Sequence, residues 1–386
     1  MDFRFTPEQE TFRQDVREFL ATALPANWAD RGEEDATADR GAVVASFTKQ
    51  LVNKGWLTLG WAKEHGGMGA GKVQQAIYVE EMATRAAPYR NMGVDRVGPT
   101  LMLFGTEEQK ARFLPAVIRG DITWCQGFSE PGSGSDLASL QTRAIRQGDD
   151  YIVNGQKIWT SNAQNADWMI LLARTAPDAP KHRGISYFLV DVKSPGITVR
   201  PLVNMAGHSG FNEVFFEDVR VPATNLVGEE NRGWYVGAAT LDFERSGIDR
   251  VVGGKSVLNR LLAFARETGA AGRNPAVRLR LAQLAIDLEA GRLLAYRVDW
   301  MQDKGLIPNA EASMSKLLGT ELQQRLGRTG LELLAMAGQL APGSKWAPLA
   351  GRIGSYYLES VSLTIAAGTS EINRNIIAQR GLGMPR

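Results

Sequence analysis

The residues best suited to bind a ligand lie in one short stretch, Gln126-Gly127-Phe128-Ser129-Glu130-Pro131-Gly132-Ser133-Gly134-Ser135-Asp136. Three glycines and three serines fall within eleven residues. Glycine lets a backbone approach a ligand closely, and hydroxyls with free N–H groups suit a phosphate or the polar edge of a heterocycle. An ordinary surface loop has the same composition. A second glycine-rich run, Gly66-Gly67-Met68-Gly69-Ala70-Gly71-Lys72-Val73, nearly matches a phosphate-binding loop. It ends in Val73 where a magnesium-binding hydroxyl is required, and no strand precedes it, so a helix–helix connection is expected. His65, His182 and His208 have no metal-ligand spacing, so no metal is expected. Cys125 is the only cysteine and can form no internal disulfide, which fits a reducing cytoplasm. Glu244, in Leu241-Asp242-Phe243-Glu244-Arg245, reads from spacing alone as a surface helix residue paired with Arg245 or Arg250.

The pattern around these residues changes twice along the chain. Residues 1–118 carry helical periodicity. Capped starts are expected at Thr6-Pro7-Glu8-Gln9 and Thr106-Glu107-Glu108-Gln109. Residues 119–226 read as an antiparallel β-barrel or sandwich. The expected strands are Trp168–Leu172, Ile185–Val190 and Glu213–Val221, with a turn expected at Gln147-Gly148-Asp149-Asp150 and a hairpin at Asn154-Gly155. Residues 227–386 return to helix: Trp234 to Thr268, Ala276 to Lys304, Ala310 to Ala337 and Trp346 to Thr364, a four-helix bundle. The fold class is α+β, mostly α, in three domains. The net charge of +2 does not suggest a nucleic-acid partner. The N-terminus has no apolar signal core and no apolar run spans a bilayer, so a cytoplasmic protein is expected.

In that order the motifs resemble the acyl-CoA dehydrogenase family. They are Trp124 to Asp136, then Asn154-Gly155-Gln156-Lys157-Ile158-Trp159-Thr160-Ser161-Asn162, then Phe215-Phe216-Glu217-Asp218-Val219-Arg220-Val221-Pro222. Near the end come Gly368-Thr369-Ser370-Glu371-Ile372 and Gln379-Arg380-Gly381-Leu382-Gly383. The resemblance covers the whole chain. It implies FAD bound between the β-domain and the bundle, an acyl-CoA substrate, and an electron-transfer flavoprotein as acceptor. It also implies removal of an α-proton by a carboxylate and of the β-hydrogen as hydride.

By the same resemblance the cofactor contacts are Gln126, Phe128, Ser129, Gly134, Ser135, Trp159, Thr160, Ser161, Thr369, Ser370 and Glu371. Phe128 and Ser129 would meet the pyrimidine edge, Trp159 would cover the ring, and Ser161 would bond near N5. From the residues alone, Trp159 also reads as a core aromatic beside a hairpin. Many members carry a glutamate base just before the Gly-Thr pair, where this chain has Ala367. A subset typified by isovaleryl-CoA dehydrogenase places the base on a bundle helix, and Glu244 occupies that position. A shielded carboxylate there would have a raised pKa, suited to a base near neutral pH. Ser135, Tyr235, Asp242, Arg245, Ala367 and Gly368 become substrate-side residues, with the Ala367 N–H a donor to the thioester carbonyl.

Two family segments that reach across the subunit interface are absent. An Arg-x-x-Phe-Gly segment is replaced by Arg266-Glu267-Thr268-Gly269-Ala270-Ala271-Gly272-Arg273. A Gln-x-x-Gly-Gly segment is replaced by Leu333-Leu334-Ala335-Met336-Ala337-Gly338-Gln339. The losses resemble bacterial α2β2 heterotetramers, some acting on steroid side chains; a homotetramer is the alternative. An oxygen-using acyl-CoA oxidase and a non-catalytic, partner-dependent subunit are the competing functions. Ala367 leaves room for a branched or bulky acyl group.

Overall fold

Local side-chain chemistry sets the first helix. Thr6 Oγ1 accepts from the Gln9 N–H at 3.3 Å while Gln9 Oε1 accepts from the Thr6 N–H at 2.9 Å, and Pro7 takes the first helical position. This start opens α1 (Pro7–Ala23) in a computed structural model that describes residues 4–28, 38–242 and 247–385. Then come α2 (Ala38–Asn53), α3 (Lys72–Thr84), α4 (Gly98–Phe104) and α5 (Glu107–Ile118), whose start repeats the capping box with Thr106 and Gln109. The strands are β1 (Trp124–Gly127), β2 (Arg143–Gln147), β3 (Asp150–Lys157), β4 (Trp168–Arg174), β5 (Ile185–Asp191), β6 (Ile197–Leu202), β7 (Phe211–Pro222) and β8 (Leu226–Val227). The helices α6 (Gly233–Asp242), α7 (Ile248–Glu267), α8 (Ala270–Arg273), α9 (Pro275–Asp303), α10 (Asn309–Leu334), α11 (Arg352–Leu363) and α12 (Ser370–Ile376) complete the chain.

The eight strands form one sheet in the order β6-β7-β3-β2-β4-β5-β8, with β1 also on β4. Most pairs are antiparallel, as expected. However, β1 and β2 meet β4 in parallel, so the sheet is mixed. β2 and β3 turn through Gly148 and Asp149, as expected, with Gln147 facing Asp150, and no hairpin forms at Asn154-Gly155. Asn154 and Gly155 lie inside β3, at a shift of register against β7. Gly155 has φ +150, and a Cβ there would stand 2.6 Å from Thr142 Oγ1, so close packing claims the glycine that resembled a turn. The sheet's core is Val153, Met169, Leu171, Phe188, Val190, Val214, Phe216 and Val219, all fully or nearly fully buried.

Trp234 to Thr268 is not one helix. α6 ends at Asp242 and α7 begins at Ile248 after Gly247, whose φ of 69° only glycine adopts without strain. By packing, the chain divides into Met1–Val43, Ala70–Pro88 and Arg245–Arg386 in one unit, and Val44–Gly69 with Tyr89–Glu244 in the other. In the first unit α7, α9 and α10 bury Leu258, Leu261, Leu281, Leu284, Leu288, Leu322 and Leu326. There α1 and α3 join the helices of the C-terminal half through Arg13, which donates to Glu80 at 2.9 Å, Glu81 at 2.6 Å and Tyr296 at 3.2 Å. The glycine-rich run before α3 is a connection, as expected. Asp303 accepts from the N–H groups of Lys72 and Val73 and so caps α3, a carboxylate at a positive helix end. No helix among the described residues is long and apolar enough to cross a membrane.

Candidate active site

In the second unit, β1 delivers the chain into the Ser129–Asp136 loop. Glu130 and Ser133 exchange backbone bonds of 2.8 and 3.0 Å, closing a tight turn around Pro131 and Gly132. Ser133 Oγ donates to Asp136 O and Leu137 O, and Asp136 is paired with Lys181. Gly134 and Ser135 stay exposed, and a Cβ at Gly134 would meet nothing within 4 Å. The Phe128 ring is buried and edges onto Tyr187, so only its backbone is available to a cofactor. Gln126 accepts from Arg96 Nη1 at 2.7 Å; Arg96 sits in a π-helical turn, Gly93–Val97.

The same unit carries the second motif directly after β3. Trp159 has φ 60°, 59 % of its surface exposed, and an edge contact with Phe211. A large aromatic ring held out at a left-handed backbone position is costly on both counts. Thr160 is fully buried, and its Oγ1 has no partner among the described residues. Ser161 is exposed. Cys125 is buried on β1, and burial pushes its thiol up to about 12, which leaves no nucleophile there. On α6, Tyr235 is exposed beneath the Arg232 guanidinium at 4.4 Å.

In the first unit, the segment after α11 brings Ala367 and Gly368 into left-handed conformations, with φ 53° and 83°. Lys316 Nζ, from α10, donates to Gly368 O at 2.5 Å and to Leu363 O at 3.1 Å. Asn373 Nδ2 adds bonds of 2.9 Å to Gly368 O and Thr369 O. Thr369 caps α12 by accepting from Ile372 N–H. Ser370 is buried and its Oγ has no partner among the described residues, and Glu371 is exposed. The backbone N–H of Glu371 and the Thr369 hydroxyl hold its carboxyl below the usual range. The candidate base Glu244 and its neighbour Arg245 lie outside the described residues, as does the Asp242 side chain.

Three domain models of one family match this chain. They are acyl-CoA dehydrogenase N-terminal domain over residues 6–121, middle domain over 125–219 and C-terminal domain over 231–382. The chain belongs to the acyl-CoA dehydrogenase family. These are flavin-dependent oxidoreductases, and this chain has their three-domain fold. It is 38 % identical to acyl-CoA dehydrogenase FadE26 of Mycobacterium tuberculosis, covering 100 % of this chain and 99 % of that protein. A solved steroid ACAD, Tcur3481-Tcur3483, is similar at 36 % identity and TM-score 0.89, over 100 % of both chains. The ChsE4-ChsE5 complex from Mycobacterium tuberculosis is similar at 38 % identity and TM-score 0.87, again over 100 % of both.

Each unit therefore gathers its own share of the residues that the acyl-CoA dehydrogenase resemblance selects: 126–161 and Tyr235 in one, 367–371 in the other. Several supporting residues carry no signal of their own in sequence. Glu130 and Lys157 sit inside recognisable motifs, yet their pairing spans 27 positions. Lys316 lies 52 positions from the carbonyl it holds, on a helix whose pattern marks it only as polar.

Proposed function

We propose that this chain is an acyl-CoA dehydrogenase subunit that binds FAD and supplies Glu244 as the base. It would remove the α-proton of an acyl-CoA thioester and form the Cα–Cβ double bond. The observation that carries the cofactor reading is Trp159, a strained and exposed ring beside a loop left open at Gly134 and Ser135. The hydroxyls of Thr160 and Ser370, each within a candidate contact motif and without a partner among the described residues, also fit a cofactor rich in acceptors. When bound, FAD supplies the acceptor for the β-hydride. The Phe128 and Ser129 backbone and Ser161 would orient the ring, Trp159 would shield it from water, and Thr369, Ser370 and Glu371 would hold it from the bundle side. Ser135, Tyr235, Asp242 and Arg245 would contact the acyl-CoA. The Ala367 N–H, fixed by the Lys316 and Asn373 clamp on Gly368, would donate to the thioester oxygen as charge builds there.

Ala367 has no acid group to take a proton, which supports Glu244 in that role. A bulky, ring-bearing acyl group is favoured by the small side chain at 367 and by similarity to a steroid ACAD. A heteromeric assembly with a related subunit is supported by the two missing interface segments and by the paired names of both similar structures. We place the domain boundaries near 118 and 226, which the family spans support, and the electrons on an electron-transfer flavoprotein.

Glu244→Gln tests the reading. It should keep FAD bound while steady-state dehydrogenation falls by about three orders of magnitude or more, within the range a positioned acid–base group contributes. Unchanged turnover would remove Glu244 from the mechanism. Stoichiometric hydrogen peroxide in air would replace the dehydrogenase reading with an oxidase.

A further inference from the structure

Two stretches reach the proposed cofactor from one unit, and a single buried side chain joins them. Lys157 is the last residue of β3, two positions before Trp159. It is fully buried, with 0 % of its surface exposed. Its Nζ donates to Glu130 Oε1 at 2.7 Å and to Phe128 O at 3.0 Å. Glu130 accepts further from the Gln141 N–H at 2.6 Å and the Thr142 N–H at 2.9 Å, so its carboxylate ties three segments together. The backbone supports the same join where Ile158 N–H donates to Ser129 O at 2.9 Å. Packing does not hold the loop from outside. A cleft of about 470 Å³ opens beside it, lined by Glu130, Gly132, Ser133, Thr142, Gly155 and Gln156.

We propose that the Glu130–Lys157 ion pair is the positioning device for FAD, locking the glycine-serine loop and the Trp159 segment into one arrangement. The inference rests on the FAD reading above. A buried pair is poor at adding net stability, because desolvating both charges offsets their attraction, but it specifies one geometry strongly. Here that geometry is the spacing of two loops that would face one ligand. The charged groups facing Lys157 are Glu130 from the loop and Arg174 from β4, whose guanidinium is fixed on Leu140 O and Ala138 O. Desolvation, offset in part by Glu130 and reinforced by Arg174, brings the Lys157 ammonium down to about 8.

The folded state thus releases a proton that the unfolded chain keeps up to its ordinary lysine value, so Lys157 ionisation itself raises stability as pH climbs above about 8. Loss of that proton also removes the cation that holds the loops. FAD affinity and fold stability therefore diverge above about pH 8. A pair with no role toward FAD would leave the affinity unchanged over the same range while stability follows the proton.

The test uses the full-length protein with any subunit it co-purifies with, stripped of flavin. FAD dissociation constants come from flavin fluorescence and thermal midpoints from the same samples. Lys157→Met and Glu130→Gln should each weaken FAD binding about tenfold or more, equivalent to about 1.4 kcal/mol. Arg13→Met, which breaks a buried pair in the other unit, should lower the midpoint without moving the FAD constant beyond about twofold. Wild-type affinity should fall several-fold from about pH 7 to about pH 9 with no matching fall in midpoint. A Lys157→Met protein that binds FAD as wild type does, an equal loss in Arg13→Met, or a flat wild-type pH profile overturns the inference. If Lys157→Met does not fold, Glu130→Gln, which keeps the side chain's shape and removes its charge, decides. A wild-type protein with no FAD affinity at any pH overturns the cofactor reading as well; normal wild-type binding with unaffected variants overturns this inference alone.

Discussion

Two lysines, one in each unit, hold the two stretches that the family pattern assigns to the active site, and they do so by different physics. Lys157 is matched with a carboxylate and is fully buried, while Lys316, with 6 % of its surface exposed, donates to the carbonyls of Leu363 and Gly368. A charge pair fixes distance and needs its partner ionised. A cation on carbonyl dipoles fixes direction, and the dipoles carry no titratable group. The stretch held by the pair carries an exposed aromatic and open glycines. The stretch held by dipoles carries two successive left-handed residues, Ala367 and Gly368, at the proposed oxyanion position. Under the proposed function, the stretch held by the pair would set the spacing of the flavin contacts, and the stretch held by dipoles would set the direction of the Ala367 N–H.

Removing each lysine sharpens the contrast. Lys157→Met strands a buried carboxylate and should lower unfolding stability by about 3–5 kcal/mol, read by urea denaturation near neutral pH. A loss under about 1 kcal/mol would mean that Glu130 finds water and the pair is not truly buried. Lys316→Met removes, among the described residues, the charge-assisted bonds to Leu363 O and Gly368 O and should lose less, about 1.5–3 kcal/mol. Its signature should be a drop in kcat with FAD affinity retained, because the Ala367 N–H loses its orientation. Smallest is Ala367→Gly, which relieves a left-handed alanine and should gain about 1 kcal/mol or less in thermal unfolding. A destabilised Ala367→Gly protein would show that the surrounding clamp, not strain, dominates there.

Much of the architecture was legible because its signals are local. Both capping boxes formed as their Thr and Gln spacing requires, and β4, β5 and β7 lie where β-rich runs placed them. The errors arose where a local signal met a tertiary demand. Asn154-Gly155 reads as a turn, but the close approach of Thr142 claims Gly155 for the interior of a strand. Trp234 to Thr268 keeps helical periodicity, which does not register the left-handed Gly247 just before α7.

The candidate site divides in the same way. The sequence by itself determined the family, the order of its three parts and the absence of an acid at 367, because residue type and order along the chain carry that information. Only the tertiary structure decided that Phe128 offers backbone and not ring, that Trp159 stands exposed, and that Lys157 and Lys316 are the anchors. Those are facts about which distant groups share a buried space. Desolvation and hydrogen-bond geometry act only once the chain has closed around them.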